Sequence, residues 1–343
     1  MNTAAADRIA KAVLYEGYML YPYRPSAVKN QQRFNFGVVY PQIFSERNST
    51  DPWVMRSECL LQGTTASRVE VRVRCLQLVE RSVEEMAKGE FRPVKSLTVD
   101  GRTFYSWQEA VERETAIPSC AVNELLSQPV TIPIQLPSSI AEEVLADSRG
   151  AVVGRILRTQ QAIDGSITLE AHAAAPDIFK ITVWVANTTP IERPAQITRD
   201  SALLRSLVSA HVVLGVEGGE FVSLLDPPEA LRPAVDDCHN QGVFPVLVGE
   251  ANQRDTMLAS PIILYDYPQI APESAGDLFD GTEIDEILSL RIMTMTDEEK
   301  REMRESDERA RQMLERTENM PAEQFMKLHG VLRGLRPQNE EIR

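Results

Sequence analysis

From Val69 to Val73 the chain alternates valine with charged residues in RVEVRVRCLQLVE, which predicts a strand with Arg68, Arg72 and Arg74 on the face opposite the valines. Such a strand has one buried face and one that is wet or paired. Alternation also predicts a strand around Phe36 to Phe44 and another at VMRSECLLQ. In LTVDGRTFY, Asp100-Gly101 is a hairpin signal, because both central residues of a type I′ turn need positive φ. SWQEAVERE then reads as a helix, with Ser106 and Glu109 spaced as a capping box. Strand signals dominate from Val130 to Asn187, with a second Asp-Gly turn expected at Asp164-Gly165 and FKITVWVANTT rich in β-branched and aromatic residues. Consecutive antiparallel strands of this kind make a sandwich or a strongly curved sheet.

Beyond Asn187 the pattern mixes. RDSALLRSLVSAH predicts an amphipathic helix capped by Asp200 or Ser201, with Leu203, Leu204, Leu207 and Val208 on one face. A hairpin is expected at Gly218-Gly219, a short helix at PPEALRPAVDDC, and buried strands at FPVLVGE and MLASPIILYDY. Thr282 with Asp285, and Thr296 with Glu299, mark two helix starts. In the second of these helices only Met303, Ala310, Met313 and Leu314 offer an apolar seam, so it is expected to project or pack lightly. A last helix places Phe325, Leu328, Leu332 and Leu335 at helical spacing. The expected fold is α+β: a β-rich body, antiparallel sandwich or curved sheet with a few packed helices, and a helical C-terminal extension. We divide it into residues 1–125, with the aromatic segment and a β-rich region; residues 126–280, β-rich and either continuous with the first or a second domain; and residues 281–343, helical.

Composition narrows the function. With 343 residues of which 43% are hydrophobic, the chain can bury a large core. Fifty acidic against 36 basic side chains give a net charge of -14, which repels nucleic-acid backbones and anionic lipid. Nucleic acid is therefore not expected as a partner. Apolar runs such as SPIILY are far shorter than the roughly 20 residues a membrane span needs. Asp7, Lys11 and Glu16 interrupt the region where a secretory signal would be apolar, so a cytoplasmic location without membrane insertion is expected. Cys59, Cys75, Cys120 and Cys238 form no C-x-x-C pair and read as buried thiols.

Candidate chemistry concentrates in YDYPQIAPESAGDLFDGTEIDEILSL, which holds Asp266, Glu273, Asp277, Asp280, Glu283, Asp285 and Glu286 and no Lys or Arg. It is not an EF-hand: aligning Gly281 with the invariant glycine puts Gly276, Leu278 and Ile287 at ligand positions. Helix-start electrostatics account for Glu283, Asp285 and Glu286. Asp266, Asp277 and Asp280 remain open to three readings: a solvated or internally paired face, a protein-docking surface, or a divalent-metal site. Asp266, Asp277, Asp280 and Glu283 would supply the metal's carboxylates, and Cys238 and His239, adjacent after Asp236-Asp237, are further candidate ligands. His211 reads as structural. P-loop, G-x-G-x-x-G, G-x-S-x-G and H-E-x-x-H motifs are absent, so no cofactor is expected and catalysis is disfavoured. In LYEGYMLYPYR, Tyr15, Tyr18, Tyr21, Tyr23 and Arg24 are either anchors for a protein interface or a cover over the chain's own core.

Two long segments carry a family resemblance: LYEGYMLYPYRPSAVKNQQRFNFGVVYP, and SLLDPPE through SPIILYDYPQIAPESAGDLFDGTEIDEILSLRIMTMTDEEK. They resemble an uncharacterised accessory protein family encoded in gene clusters of actinobacterial-type uptake nickel-iron hydrogenases, and the similarity spans nearly the whole chain. The resemblance implies a non-catalytic role in assembly or maturation of that enzyme. The implied partner is its large or small subunit, a precursor, or its maturation machinery. A structural subunit of the mature complex and a metal-dependent enzyme using the acids of 266–286 are the alternatives. The family brings no catalytic residues to transfer.

Overall fold

The computed structural model describes residues 3–14, 36–269, 285–306 and 308–321. The fold is α+β and β-rich, built on one large antiparallel sheet with a few helices, the last of them near the C-terminus. Its spine is β1, Val54–Ala87, in which the two strands expected at VMRSECLLQ and RVEVRVRCLQLVE run together. After it come β2 (Glu90–Val94), β3 (Ser96–Val99), β4 (Arg102–Tyr105) and β5 (Trp107–Ala121). Then follow β6 (Val130–Leu136), β7 (Ser139–Ala146), β8 (Val152–Gln160), β9 (Ile163–Ala175), β10 (Ile178–Asn187), β11 (Val208–Val222), β12 (Phe244–Leu247) and β13 (Thr256–Ser260). The order β12-β13-β11-β1-β10-β9-β6 makes the main path, with β2, β5 and β8 also paired to β1 and β7 paired to β8. The helices are α1 (Thr3–Leu14), α2 (Gln42–Ser45), α3 (Val122–Ser127), α4 (Arg199–Leu203), α5 (Arg232–Asp236), α6 (Asp285–Met293), α7 (Asp297–Ser306) and α8 (Glu308–Glu318).

β1 can hold so many partners because different stretches of it are paired in turn. Residues 54–62 pair with β10, residues 68–81 with β5 and residues 79–85 with β8, while β11 takes residues 60–76. Val69, Val71 and Val73 lie in the main core with Cys59, Leu61, Phe221 and Ile181, as the alternation predicts. The opposite face is paired: Arg72 reaches Asp7 of α1 at 3.0 Å, Arg74 reaches Glu112 at 3.3 Å, and Arg68 donates to Ser119. Further along, Leu76 and Leu78 lie under the C-terminal helices.

Several local expectations give way to these long-range pairings. SWQEAVERE is strand β5, because its acids meet the arginine face of β1: Glu114 pairs in register with Arg74, and Glu109 contacts both Arg81 and Arg158. The Ser106 hydroxyl donates to Val94 O and accepts from Val83 N, joining strands where a helix cap was expected. The strand expected at Phe36 to Phe44 is a single bridge, Val39 to Leu207, followed by α2. The helix expected over RDSALLRSLVSAH stops at Leu203, its cap is Thr198 accepting from Ser201 N, and the chain re-enters the sheet at Val208. Asn187 enforces that exit, since its side-chain amide donates to Arg205 O and Val39 O.

Gly218-Gly219 makes no hairpin either. β11 runs straight through it, and Gly218 sits opposite the bulge of β1 between Gly63 and Arg68. Asp164-Gly165 lies within β9, where Gly165 pairs with Asn187 and a Cβ would collide with the Ala186 carbonyl. Close approach, not a turn, demands that glycine. The Asp100-Gly101 hairpin forms as expected, with Val99 opposite Arg102 and both turn residues at positive φ.

The Thr296–Glu299 capping box is present, with Glu299 N donating to Thr296 Oγ1 and Thr296 N to Glu299 Oε2. The charged helices do not project. Met303, Ala310, Met313 and Leu314 are buried with Ile292, Met295, Leu76 and Leu78, and Glu305 accepts from Thr103 N of β4. The last expected helix, around Phe325 to Leu335, and the Thr282 helix start lie outside the described residues. No helix among the described residues is long and apolar enough to cross a membrane.

Candidate functional site: a pinned, apolar-tipped segment beside the acidic stretch

Residues 261–269 leave the sheet where β13 was expected to continue. β13 stops at Ser260, and the Ser260 hydroxyl accepts from Ile262 N. Proline at 261 removes the next backbone donor, and its ring packs on Gly37, whose carbonyl accepts from Ala210 N. Asp266 then fixes the far end. One carboxylate oxygen accepts from the Ser223 hydroxyl and the other from Leu247 N at 2.8 Å, while Tyr267 N donates to Leu247 O. Ser223 Oγ itself accepts from Leu225 N and Asp226 N, so one hydroxyl ties Asp266 to the turn that follows β11. Between the two anchors Ile263 is 89% exposed and Tyr265 82% exposed. Both were expected inside a buried strand.

Asp266 is thus a clamp whose two oxygens are taken by the fold. Asp277, Asp280 and Glu283 lie outside the described residues, as do Tyr15, Tyr18, Tyr21, Tyr23 and Arg24. Replacing Asp266 with Ala removes the acceptor of a backbone N–H and of the buried Ser223 hydroxyl, a loss of about 1–3 kcal/mol. We expect faster amide exchange at Leu247 and Tyr267 in Asp266→Ala, with the core strands protected as before. Unchanged exchange at Leu247 would show that the clamp does not hold the segment.

The pair Cys238 and His239 points two ways. The Cys238 thiol packs against Leu60, Ile178 and Val222 after α5 and donates to Ala234 O, and burial, with Glu58 adding to it, pushes it up to about 11. A thiol so shifted is protonated near neutral pH and a poor nucleophile. Burial likewise raises Cys59, and raises Cys75 to about 12. His239 is exposed, and its backbone N–H donates to Glu58 Oε2 at 2.6 Å.

Glu58 is the functional-looking residue that sequence reasoning missed. It is buried, and Asn240 brackets its backbone, accepting from Glu58 N at 2.7 Å and donating to Glu58 O. Arg56 holds His239 O and stacks on Trp184, whose indole donates to Glu170. The whole set fastens the 237–240 loop to β1 and β10, with Lys180 and Asp237 paired at 2.6 Å on its outer side. Nothing short of the fold itself brings Glu58 to residues some 180 positions away. Among the described residues no group of three or more His, Cys, Asp and Glu is gathered to hold a metal ion.

An open recess of about 440 Å³ lies over the turn after α2, lined by Ser45, Glu46, Asp51, Trp53 and Gln241 among others. Asp51 on its wall is held by Arg199 at 3.1 Å, and Arg199 in turn stacks on Tyr40, whose phenol burial raises to about 12. Asp51 is thus already committed to holding Arg199.

No family model matches the chain, and no curated protein matches it. Among solved structures it is similar to the Salmonella SPI-1 type III secretion injectisome secretin InvG (residues 176-end, open gate state), at 9% identity with a TM-score of 0.11. That likeness covers 58% of this chain and 45% of the secretin chain, and at this level it carries no argument about fold or activity.

Proposed function

We propose that the protein is a non-catalytic cytoplasmic accessory protein that binds a partner protein through residues 261–269 and the acidic stretch that follows. The observation that supports this reading is the exposure of Ile263 and Tyr265 on a backbone clamped at both ends. An apolar and an aromatic side chain on a segment already ordered give contact area at little entropic cost. The acids beyond them favour a partner with a basic rim and repel nucleic acid and anionic membrane. The sequence resemblance supplies the partner's class: the large or small subunit of a nickel-iron hydrogenase, its precursor, or its maturation machinery. Binding such a subunit would assist its assembly or maturation.

The test is capture by the tagged full chain from cells expressing the hydrogenase cluster, with mass spectrometry of what is retained. Recovery of a hydrogenase subunit, especially an unprocessed one, is the expected result. Ile263→Asp with Tyr265→Ala should cut recovery at least tenfold while leaving the thermal transition in place, because both side chains are already in solvent. Full recovery by that folded double variant would remove the segment from the interface. Failure to retain any hydrogenase component after crosslinking would remove the partner.

A further inference from the structure

Among the described residues five strands of the large sheet have a single neighbour: β12, β6, β2, β5 and β7. An edge strand offers unpaired N–H and C=O groups to any passing chain, and proteins blunt such edges, commonly with proline. β12 carries Pro245, β6 Pro133, β2 Pro93 and β5 Pro118. β7, Ser139–Ala146, carries none, and no lysine or arginine either.

Of these edges β7 exposes its apolar side chains most, well beyond Val111 of β5 at 37%. Ile140 is 73% and Val144 55% exposed, and alternation puts both on one face with Glu142 between them. Among the described residues β7 pairs with β8 alone, in regular register from Ser139 to Leu145 with a shift before Ala146, so its other edge has no strand partner there. Glu142 is bound at 3.3 Å by Arg155, which is shared with Glu84. One guanidinium therefore serves two carboxylates, and the trio keeps a net negative charge.

We propose that β7 is a docking edge for an extended segment of a partner protein, added as an antiparallel or parallel strand. The segment presents two aliphatic residues flanking a lysine or arginine, which fall beside Ile140, Val144 and Glu142. Charge decides against a second copy of this chain as the occupant. Antiparallel self-pairing that sets Ile140 on Val144 places Glu142 opposite its own mate, and two chains of net charge -14 repel. This edge is separate from residues 261–269, and it stands whether or not that segment binds a hydrogenase subunit.

The probe is a blocked peptide, Thr-Val-Thr-Lys-Thr-Val-Thr, and a control with glutamate for lysine, each at millimolar concentration with the full-length protein. Deuterium uptake over residues 139–146 should slow with the lysine peptide, and fluorescence anisotropy should show the glutamate peptide binding at least tenfold more weakly. Ile140→Lys, at an exposed site that tolerates it, should weaken the lysine peptide about tenfold, and Glu142→Lys should reverse the preference between the two peptides. No slowing at residues 139–146, or equal binding of both peptides, overturns the proposal. Slowing that appears in the protein alone and grows with its concentration assigns the edge to a second copy and overturns the occupant.

Discussion

Leu61→Ala should cost about 2–5 kcal/mol of folding free energy, a large part of the roughly 5–15 kcal/mol that holds a domain together. Leu61 is fully buried at the point where β1 has a neighbour on each side, paired to Phe179 of β10 and to Phe221 of β11. Its side chain also lies against Gly219, so β1, β10 and β11 all border the cavity that alanine would leave. Three paired strands cannot collapse inward without breaking register, which places this site toward the costly end of the range. Urea unfolding followed by circular dichroism measures the loss. Ile140→Ala is the control, exposed and expected to shift stability by less than about 0.5 kcal/mol. A Leu61→Ala midpoint as close to the native one as that of the control would contradict the packing described for this junction.

What was legible in the chain was whatever depends on near neighbours. Alternation from Val69 to Val73, the Asp100-Gly101 turn and the Thr296–Glu299 box each need only a few consecutive residues, and each is present. The fold class followed from the density of such signals. What failed was local propensity set against a distant partner. QEAVERE is a good helix sequence, but its glutamates find arginines of β1 and β8 and the backbone finds the edge of β1. Asp164-Gly165 has turn chemistry, yet the glycine is spent on the close passage of β10.

The candidate site divides in the same way. Asp266 was visible as one acid in an acidic run, but its task was not, because Ser223 and Leu247 reach it from other elements. Glu58 and Asn240 carry no mark in the sequence of their joint role. Exposure of Ile263 and Tyr265 was invisible for a further reason: an apolar run looks the same whether the sheet continues or stops at Ser260.

The second large effect is on acid stability, through His211. It was expected at a helix end and instead sits on β11, fully buried opposite Arg74 of β1. Its Nδ1 must carry a proton, because it meets the Ser209 carbonyl at 2.7 Å and a carbonyl can only accept. Nε2 is then the acceptor, and the Ser260 hydroxyl donates to it at 3.2 Å. Burial first, and the Arg74 charge beside it, lower the imidazole to about 4, against the support of the Ser209 carbonyl. Arg74 faces this ring while its own guanidinium is shared among Asp7, Glu112 and Glu114.

The sign follows from which state takes the proton. As pH falls below about 6.5 the unfolded chain protonates at this position and the folded one does not, so folding loses stability at about 1.4 kcal/mol per unit until pH nears 4. His211→Gln keeps a donor for Ser209 O and an acceptor for the Ser260 hydroxyl without a titrating ring. The urea midpoint of the native protein should therefore fall more steeply between pH 6.5 and 4.5 than that of His211→Gln, by an accumulated difference of roughly 2–3 kcal/mol. Carboxylates titrate in both proteins and cancel in the comparison. Parallel acid limbs would mean that His211 takes its proton in the folded state as readily as in the unfolded one, with Nε2 then donating to the Ser260 hydroxyl while Nδ1 still donates to Ser209 O.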